Sequence, residues 1–176
     1  RAVDRFLERY PEWHSRFVFL QMGAPSRTEI VEYRALNAEV DQLIDCINAK
    51  HGVADWQPIC MARAHHGVDD IFAGYRAASV CVVSSLHDGM NLVAKEFVAA
   101  RDDRQGVLIL SPFTGAAREM PEALLVNPYA TDALADALGN QCLDLHLRLR
   151  LGTVDPYPLA FGDAAGGGIG WIDLDE

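Results

Sequence analysis

The amino-acid sequence predicts an α/β fold, with a parallel sheet covered by helices on both faces. Short apolar runs alternate along the chain with segments of helical periodicity. The runs are continuously apolar, as in strands that are buried on both faces of a sheet. Hydrophobic residues make up 50% of the 176 residues, so the chain can bury a sizeable core in one domain.

The first half of the chain predicts a strand, a helix, a strand and a helix in turn. Arg16–Gly23 is an apolar run typical of a strand. Thr28–Gly52 predicts a long amphipathic helix, because its apolar residues recur at helical spacing, its threonine can cap the start and its glycine can stop the end. Trp56–Ala62 then predicts a short strand, and Val68–Ala78 predicts a helix.

The second half continues the alternation. Ser79–Ser85 and Gly106–Ser111 predict two buried strands, separated by a helix at Asn91–Arg101. Cys81 falls inside the first of these strands, where a buried free thiol is the usual finding. The remaining predicted elements are a short helix at Ala116–Met120, a strand at Ala123–Asn127 and a helix at Thr131–Gly139 that ends on its glycine.

The last part of the chain has a different pattern. Leu143–Leu151 alternates apolar and polar residues, which predicts a half-buried strand. Gly166–Gly168 is typical of a flexible linker, and we expect low order over Asp155–Glu176. The sequence therefore predicts a lobe over 1–139 and a divergent, poorly ordered tail over 140–176.

Charge and composition exclude several function classes. The formal net charge of −10 argues against a nucleic-acid partner and against adhesion to an anionic membrane, although it allows one local basic pocket for a phosphate. No apolar run is long enough to span a membrane, and no secretory signal is visible. The four cysteines (Cys46, Cys60, Cys81 and Cys142) form no C-x-x-C pair, so we expect reduced thiols in a cytoplasmic protein. The chain has no initiator Met, so it is expected to be a fragment or a processed product.

Three loops are expected at the carboxyl ends of the strands, where parallel sheets bind ligands. They are Gly23–Arg27, Ser84–Asn91 and Ser111–Gly115, and all three carry Gly and polar residues. Arg27 can clamp a phosphate or pair with the nearby Glu29. The third loop can wall a pocket or serve packing alone.

The second loop carries the most chemistry. Gly89 permits a tight turn, and the amides of Asn91–Val93 begin a helix whose dipole favours an anion. Asp88 and Glu96 are carboxylates that can accept hydrogen bonds from sugar hydroxyls. Together, the helix N-terminus and the two carboxylates predict a site for a nucleotide diphosphate sugar. The alternative is a capped helix with its charged residues in water. His87 can touch the substrate or lie in solvent, and the histidine spacing supports no metal site.

Several strings together resemble the trehalose-6-phosphate synthase family, which joins glucose from a nucleotide sugar to glucose 6-phosphate with retention. They are HDGMNLVAKEF, GVLILSPFTGAA, ALLVNPY, GAPSR and the spacing of Ile, Asn, Gly, Trp and Pro over Ile47–Pro58. The resemblance implies a GT-B fold of two Rossmann-like lobes, of which this chain is the C-terminal, nucleotide-sugar lobe. It implies no metal and no cofactor, since UDP-glucose is a substrate. It implies no nucleic-acid or membrane partner and leaves a homo-oligomer open.

The resemblance also implies roles for individual residues. Glu96 would hold the ribose, Asp88 would be the catalytic candidate beside the donor glucose, and Arg27 would bind the phosphate of glucose 6-phosphate. His66 stands where a Phe commonly contacts the nucleotide. The other residues expected to line the donor site are Gly89, Met90, Asn91, Leu92, Val93, Ala94 and Lys95.

The sequence also departs from the family pattern. In the family, an R-x-D-Y-x-K-G motif contacts the donor diphosphate. It is expected just before Arg1 and is therefore absent from this sequence, and the N-terminal, acceptor-binding lobe is absent too. The resemblance is expected to stop near Gly139. Residues 1–176 alone are therefore expected to show no synthase activity. A glucosylglycerol-phosphate synthase, a non-catalytic synthase-like regulatory module and a domain without a ligand remain as alternatives, with Met90 mildly favouring trehalose.

Overall fold

The structure, a computed structural model, describes residues 1–24, 31–103, 105–150 and 168–170. Its helices are α1 Ala2–Arg9, α2 Val31–His51, α3 Val68–Ala77, α4 Leu92–Ala100 and α5 Thr131–Arg150. Its strands are β1 Phe17–Gly23, β2 Ile59–Arg63, β3 Val80–Val83, β4 Val107–Leu110, β5 Leu124–Leu125 and β6 Gly168–Gly170. Two short 3-10 turns lie at Pro11–Trp13 and Gly115–Arg118. Among the described helices, none has the length and apolar character needed to cross a membrane.

All the strand pairs between these elements are parallel, as the continuous apolar runs predict. The strands form two groups, in the orders β2–β1–β6 and β3–β4–β5. β6 pairs with Phe17–Phe19 of β1 and also contacts β3, so it links the two groups. The predicted α/β fold with a parallel sheet is confirmed.

Helices cover both faces of the sheet. Val80 and Val82 of β3 belong to one core cluster, whereas Cys81 and Val83 belong to another. Because successive side chains of a strand point to opposite faces, the two clusters lie on opposite sides of the sheet. We call the side packed against α1, α2 and α5 the first face, and the side packed against α3 and α4 the second face. Cys81 is fully buried, as predicted.

The prediction that a helix ends at Gly139 is wrong, because α5 runs from Thr131 through that glycine to Arg150. A Cβ atom at Gly139 would lie 2.3 Å from Cε2 of Tyr10, so the glycine allows close packing of α5 against the residue after α1. The predicted strand over Leu143–Leu151 is also wrong, since its residues up to Arg150 are helical. Leu and Arg favour helices and the segment has no β-branched residue, so a two-residue alternation does not make it a strand.

The predicted tail is described only in part. Of Asp155–Glu176, expected to be poorly ordered, Gly168–Gly170 form β6, and the rest lies outside the described residues. Gly168 therefore belongs to a strand, whereas Gly166 and Gly167 of the predicted linker lie outside the described residues. The expected boundary between 1–139 and 140–176 falls inside α5.

Candidate functional site

The loop between β3 and α4 is folded around the carboxylate of Asp88. Its Oδ1 accepts hydrogen bonds from the amides of Met90 at 2.9 Å and of Asn91 at 3.0 Å. The Met90 hydrogen bond above all, with those from Asn91 and the charge of His87, holds the pKa of Asp88 below its ordinary value. Asp88 is therefore an ionised residue that shapes the loop, and its Oδ1 is already engaged by the backbone.

Asn91 is the residue that turns the chain into α4. Its backbone is left-handed, with φ of 66°, and its Oδ1 accepts a hydrogen bond from the Ala94 amide at 2.9 Å. Its Nδ2 donates to Oγ of Ser85 at 3.3 Å, and the residue is only 4% exposed. The turn was expected at Gly89, but that glycine is outside the left-handed region, and Asn tolerates this region better than most residues.

The loop after β4 is bonded to the loop after β3. The Gly115 amide donates to the Asp88 carbonyl at 3.0 Å, and the Ala116 amide donates to the Met90 carbonyl at 2.9 Å. A Cβ atom at Gly115 would lie 2.1 Å from the carbonyl oxygen of Gly89. The two backbones therefore approach so closely that only glycine fits at position 115. The third predicted loop therefore supports the second one directly.

The side chains of α4 divide between the core and the site edge. Ala94 is fully buried in the second face, so it can meet a ligand only through its backbone, and its amide is used by Asn91. Leu92 is 61% exposed, whereas Val93 is half-buried. Nζ of Lys95 lies 2.9 Å from Oε2 of Glu119, which ties α4 to the 3-10 turn after β4.

Glu96 has a buried partner that the sequence does not predict. The hydroxyl of Tyr75, on α3, donates to Oε2 of Glu96 at 3.1 Å. Tyr75 is only 2% exposed, so the bond lies at the inner side of a half-buried carboxylate. The sequence gives no signal for it, because a Tyr on the apolar side of an amphipathic helix usually serves packing.

The two remaining predicted contacts lie elsewhere. His66 follows β2, is half-buried, and has Nε2 3.2 Å from the Ala62 carbonyl oxygen at the end of that strand. Arg27 lies outside the described residues, so its acceptor role stays a prediction. His87 is exposed. In the part of the chain that the structure describes, no three metal-ligating side chains come together.

Exposed apolar residues surround the site loop and form what we call the apolar rim. Its members, with their exposed fractions, are Leu86 56%, Met90 52%, Leu92 61%, Phe113 43% and Tyr129 68%. The rings of Phe113 and Tyr129 meet edge to face, with centroids 6.0 Å apart. Of the five, only Met90 and Leu92 are predicted from the sequence to line the site. Phe113 and Tyr129 stand in the strings SPF and NPY, which follow the strands β4 and β5.

A match to a family model identifies the family of this chain. The model described as Glycosyltransferase family 20 matches residues 1–151. The chain belongs to this family. The match confirms the resemblance drawn from DGMNLVAKE and its companion strings, and it extends past Gly139, where the resemblance was expected to end.

Curated relatives of the family align with most of this chain. An alpha,alpha-trehalose-phosphate synthase [UDP-forming] from Pichia angusta is 42% identical over 137 residues, which cover 78% of this chain and 29% of the relative. The 56 kDa subunit of the same synthase from Saccharomyces cerevisiae is 40% identical over 144 residues, covering 82% of this chain and 29% of the relative. The chain thus spans about 29% of the length of these two proteins.

Solved structures confirm the fold. An alpha,alpha-trehalose-phosphate synthase (UDP-forming) from Burkholderia xenovorans, in complex with glucose-6-phosphate, superposes with a TM-score of 0.75 at 34% identity, covering 85% of this chain and 36% of that one. A structure from E. coli bound with UDP-2-fluoro glucose gives a TM-score of 0.75 at 34% identity, covering 84% of this chain and 36% of that one. This chain thus covers about 36% of each of these two structures, and its assignment to one lobe of a two-lobed enzyme stays a prediction.

Proposed function

We propose that this chain is the nucleotide-sugar-binding lobe of a retaining glycosyltransferase that transfers glucose from UDP-glucose to glucose 6-phosphate, forming trehalose 6-phosphate. The observation that carries the proposal is the unit made by the Asp88 loop and α4. In it, a fixed carboxylate, a helix N-terminus and the half-buried Glu96 follow one another at the carboxyl end of β3. The family membership and the ligands of the solved relatives support this choice of substrates.

In the proposed mechanism, the donor diphosphate lies at the N-terminus of α4. The first amides of a helix have no intrahelical acceptor, and the helix dipole adds partial positive charge there. The Asn91 amide is bonded to Asp88, so the amides that meet the phosphates are those of Leu92 and Val93. As the bond to the sugar breaks, negative charge grows on the leaving phosphate, and these fixed donors stabilise it.

The carboxylates take the sugar hydroxyls. Glu96 accepts hydrogen bonds from the ribose, and Asp88 uses its remaining lone pairs for the donor glucose, since an ionised carboxylate offers about four acceptor positions. Arg27 binds the acceptor phosphate, and the rest of the polypeptide supplies the other side of the site. For this reason we expect no trehalose 6-phosphate formation from residues 1–176 alone, as measured by release of UDP in the presence of both sugars.

Calorimetric titration of the chain with UDP, with GDP for comparison, tests the proposal. We expect UDP to bind, and Glu96→Ala to weaken binding by roughly tenfold or more, since it removes hydrogen bonds to a charged group. Glu12→Ala is the matched control, because Glu12 is an exposed carboxylate that precedes β1 at the opposite end of the strands. The proposal is contradicted if the folded chain does not bind UDP, or if Glu96→Ala binds UDP as tightly as the wild type.

A further inference from the structure

We propose that Tyr75 is a positioning residue for nucleotide binding, which acts by holding the carboxylate of Glu96 in the orientation that the ribose requires. The inference rests on the proposed function, in which Glu96 accepts the ribose hydroxyls. It adds a residue from a different helix, α3, to a site otherwise built from α4 and the loop before it. The contact that carries it is the hydrogen bond of 3.1 Å from the Tyr75 hydroxyl to Oε2 of Glu96.

The phenol ring of Tyr75 is held on two sides. It meets the ring of Phe72 at a centroid distance of 5.9 Å and the ring of Phe97 at 6.2 Å, both edge to face. Phe97 belongs to α4 and is 2% exposed, so the ring is wedged between its own helix and the helix that carries Glu96. The ring therefore has little freedom, and its hydroxyl is aimed at a fixed place.

The end of α3 is also fixed to the end of α4. The guanidinium of Arg101, the residue after α4, donates through Nη1 to the carbonyl oxygens of Tyr75 at 3.2 Å and of Ala78 at 2.8 Å. The Arg101 side chain is 9% exposed and pairs with Asp103 at 3.0 Å. The hydrogen bond from Tyr75 to Glu96 thus joins two helices whose C-terminal ends are also bonded to each other.

This arrangement suits a carboxylate that must bind two hydroxyls. Glu has three rotatable side-chain bonds, and ordering it on binding costs conformational entropy. A single phenol donor orders the carboxylate beforehand and uses one of its roughly four acceptor positions. The remaining positions stay available to the ribose, so Tyr75 improves affinity without touching the ligand.

The test compares two ligands on Tyr75→Phe, which keeps the ring and removes only the hydroxyl. Calorimetric titrations use UDP and 2′,3′-dideoxy-UDP, which lacks the ribose hydroxyls. We expect the variant to bind UDP about 3- to 10-fold more weakly than the wild type, because UDP must then order the Glu96 side chain that the phenol no longer holds. Its affinity for the dideoxy ligand is expected to stay within about twofold, because Glu96 has no hydroxyl to accept there.

A packing role for Tyr75 gives a different pattern, because it changes the affinity for both ligands or for neither. The ratio of the two dissociation constants is measured on the same sample, so a smaller folded fraction cancels from it. Glu96→Ala combined with Tyr75→Phe is expected to lose no more UDP affinity than Glu96→Ala alone, since both changes act on one contact. Additive losses in the double variant overturn the inference.

The inference and the proposed function fail in distinguishable ways. If the wild type binds UDP and 2′,3′-dideoxy-UDP equally, Glu96 does not hold the ribose, and the proposed contact falls together with the inference. If the wild type prefers UDP and Tyr75→Phe keeps the same preference, the proposed function stands and only the positioning role of Tyr75 is overturned.

Discussion

The two faces of the sheet bury apolar side chains in different ways. The first face is filled by large side chains, including Phe6, Leu7, Trp13 and Phe17. The second face uses many small ones, among them Ala94, Ala100 and Ala116. Small residues let a helix backbone approach the sheet closely, and α4 is the helix on which the candidate site stands.

The two faces also differ in the polar side chains that lie near them. On the helices of the first face, the charges pair mainly with one another, as Lys50 does with Asp4 at 2.7 Å and Arg9 with Asp136 at 2.6 Å. Near the second face some charges also pair, as Lys95 does with Glu119, but Asp88 and Asn91 bond to backbone amides of the β3–α4 loop and of the first turn of α4. The first face thus supports the domain, whereas polar residues above the second face set the geometry of the candidate site. Mutations on the two faces should therefore have separable effects on stability and on binding.

The largest effect on stability is expected from Phe6→Ala on the first face. Phe6 is fully buried and its ring centroid lies 4.7 Å from that of Phe17, so truncation should cost about 3–5 kcal/mol of unfolding free energy. Urea unfolding measures this loss, and Phe72→Ala, at a residue 36% exposed, is the milder control on the second face. UDP affinity of the fraction that stays folded should not change. A large loss of that affinity would show that the two faces are not separable.

The next effect is expected from Gly115→Ala, which acts on the site loops. The added Cβ would collide with the Gly89 carbonyl, so the two loops must separate, at a cost of about 1–3 kcal/mol in stability. UDP binding should weaken by about tenfold or more, because a displacement near 1 Å misplaces the donors. Gly89→Ala is the matched control, since a Cβ there meets nothing within 4 Å. Equal UDP affinities for the two variants would contradict the proposed role of the loop contact.

Replacing Asn91 tests the cap of α4. Asn91→Ala removes the hydrogen bond to Ala94 and places Ala in a left-handed backbone, so unfolding free energy should fall by about 1–2 kcal/mol. Asn91→Gly loses the cap but tolerates the backbone, and should therefore be less destabilised than the Ala variant. Thermal and urea unfolding of both variants measure the difference. An Ala variant as stable as the Gly variant would mean that the left-handed backbone costs nothing here.

Acid unfolding compares the carboxylates of the two regions. The folded-state pKa of Asp88 is lowered, so its contribution to stability is present above the unfolded pKa of about 3.9 and is lost as the pH falls through the folded pKa. Asp88→Asn should flatten the fall in unfolding free energy between about pH 5 and pH 2.

Asp4→Asn is the matched variant on the first face. Burial raises the pKa of Asp4, but hydrogen bonds from Lys50 and His51 outweigh burial and hold that pKa below its ordinary value. This variant should also flatten the acid limb, while only Asp88→Asn should change UDP affinity. Equal UDP affinities for the two variants would remove Asp88 from the site.

The smallest effect is expected from Arg9→Gln. The Arg9–Asp136 pair is exposed by 35% and 51% on its two sides, and water and salt screen such pairs. We expect no change in the urea midpoint beyond experimental error, at low or high salt. A clear, salt-dependent loss would show that the surface charges of the first face carry stability of their own.

The sequence predicts much of this fold because the main strands are easy to recognise. β1, β3 and β4 are continuous apolar runs, and the residues directly after β3 and β4 form the candidate site. What it misses depends on contacts distant in sequence. The helix α1 is not predicted, because it has only eight residues and no side-chain N-cap. The continuation of α5 past Gly139 is not predicted either, because that glycine makes room for the ring of Tyr10, which no local pattern reveals. Likewise, the partner of Glu96 comes from another helix, 21 positions earlier.

The packing of α1 against α5 has a consequence for how the domain forms during synthesis. Phe6 and Leu7 are synthesised before the helix that covers them, since contacts such as that of Arg9 with Asp136 join residues 127 positions apart. Closing so long a loop costs entropy before any contact repays it, so folding of this domain should be slow and should end with the docking of α5. Until α5 docks, the apolar side of α1 stays uncovered in the nascent protein, and uncovered apolar surface is what chaperones bind.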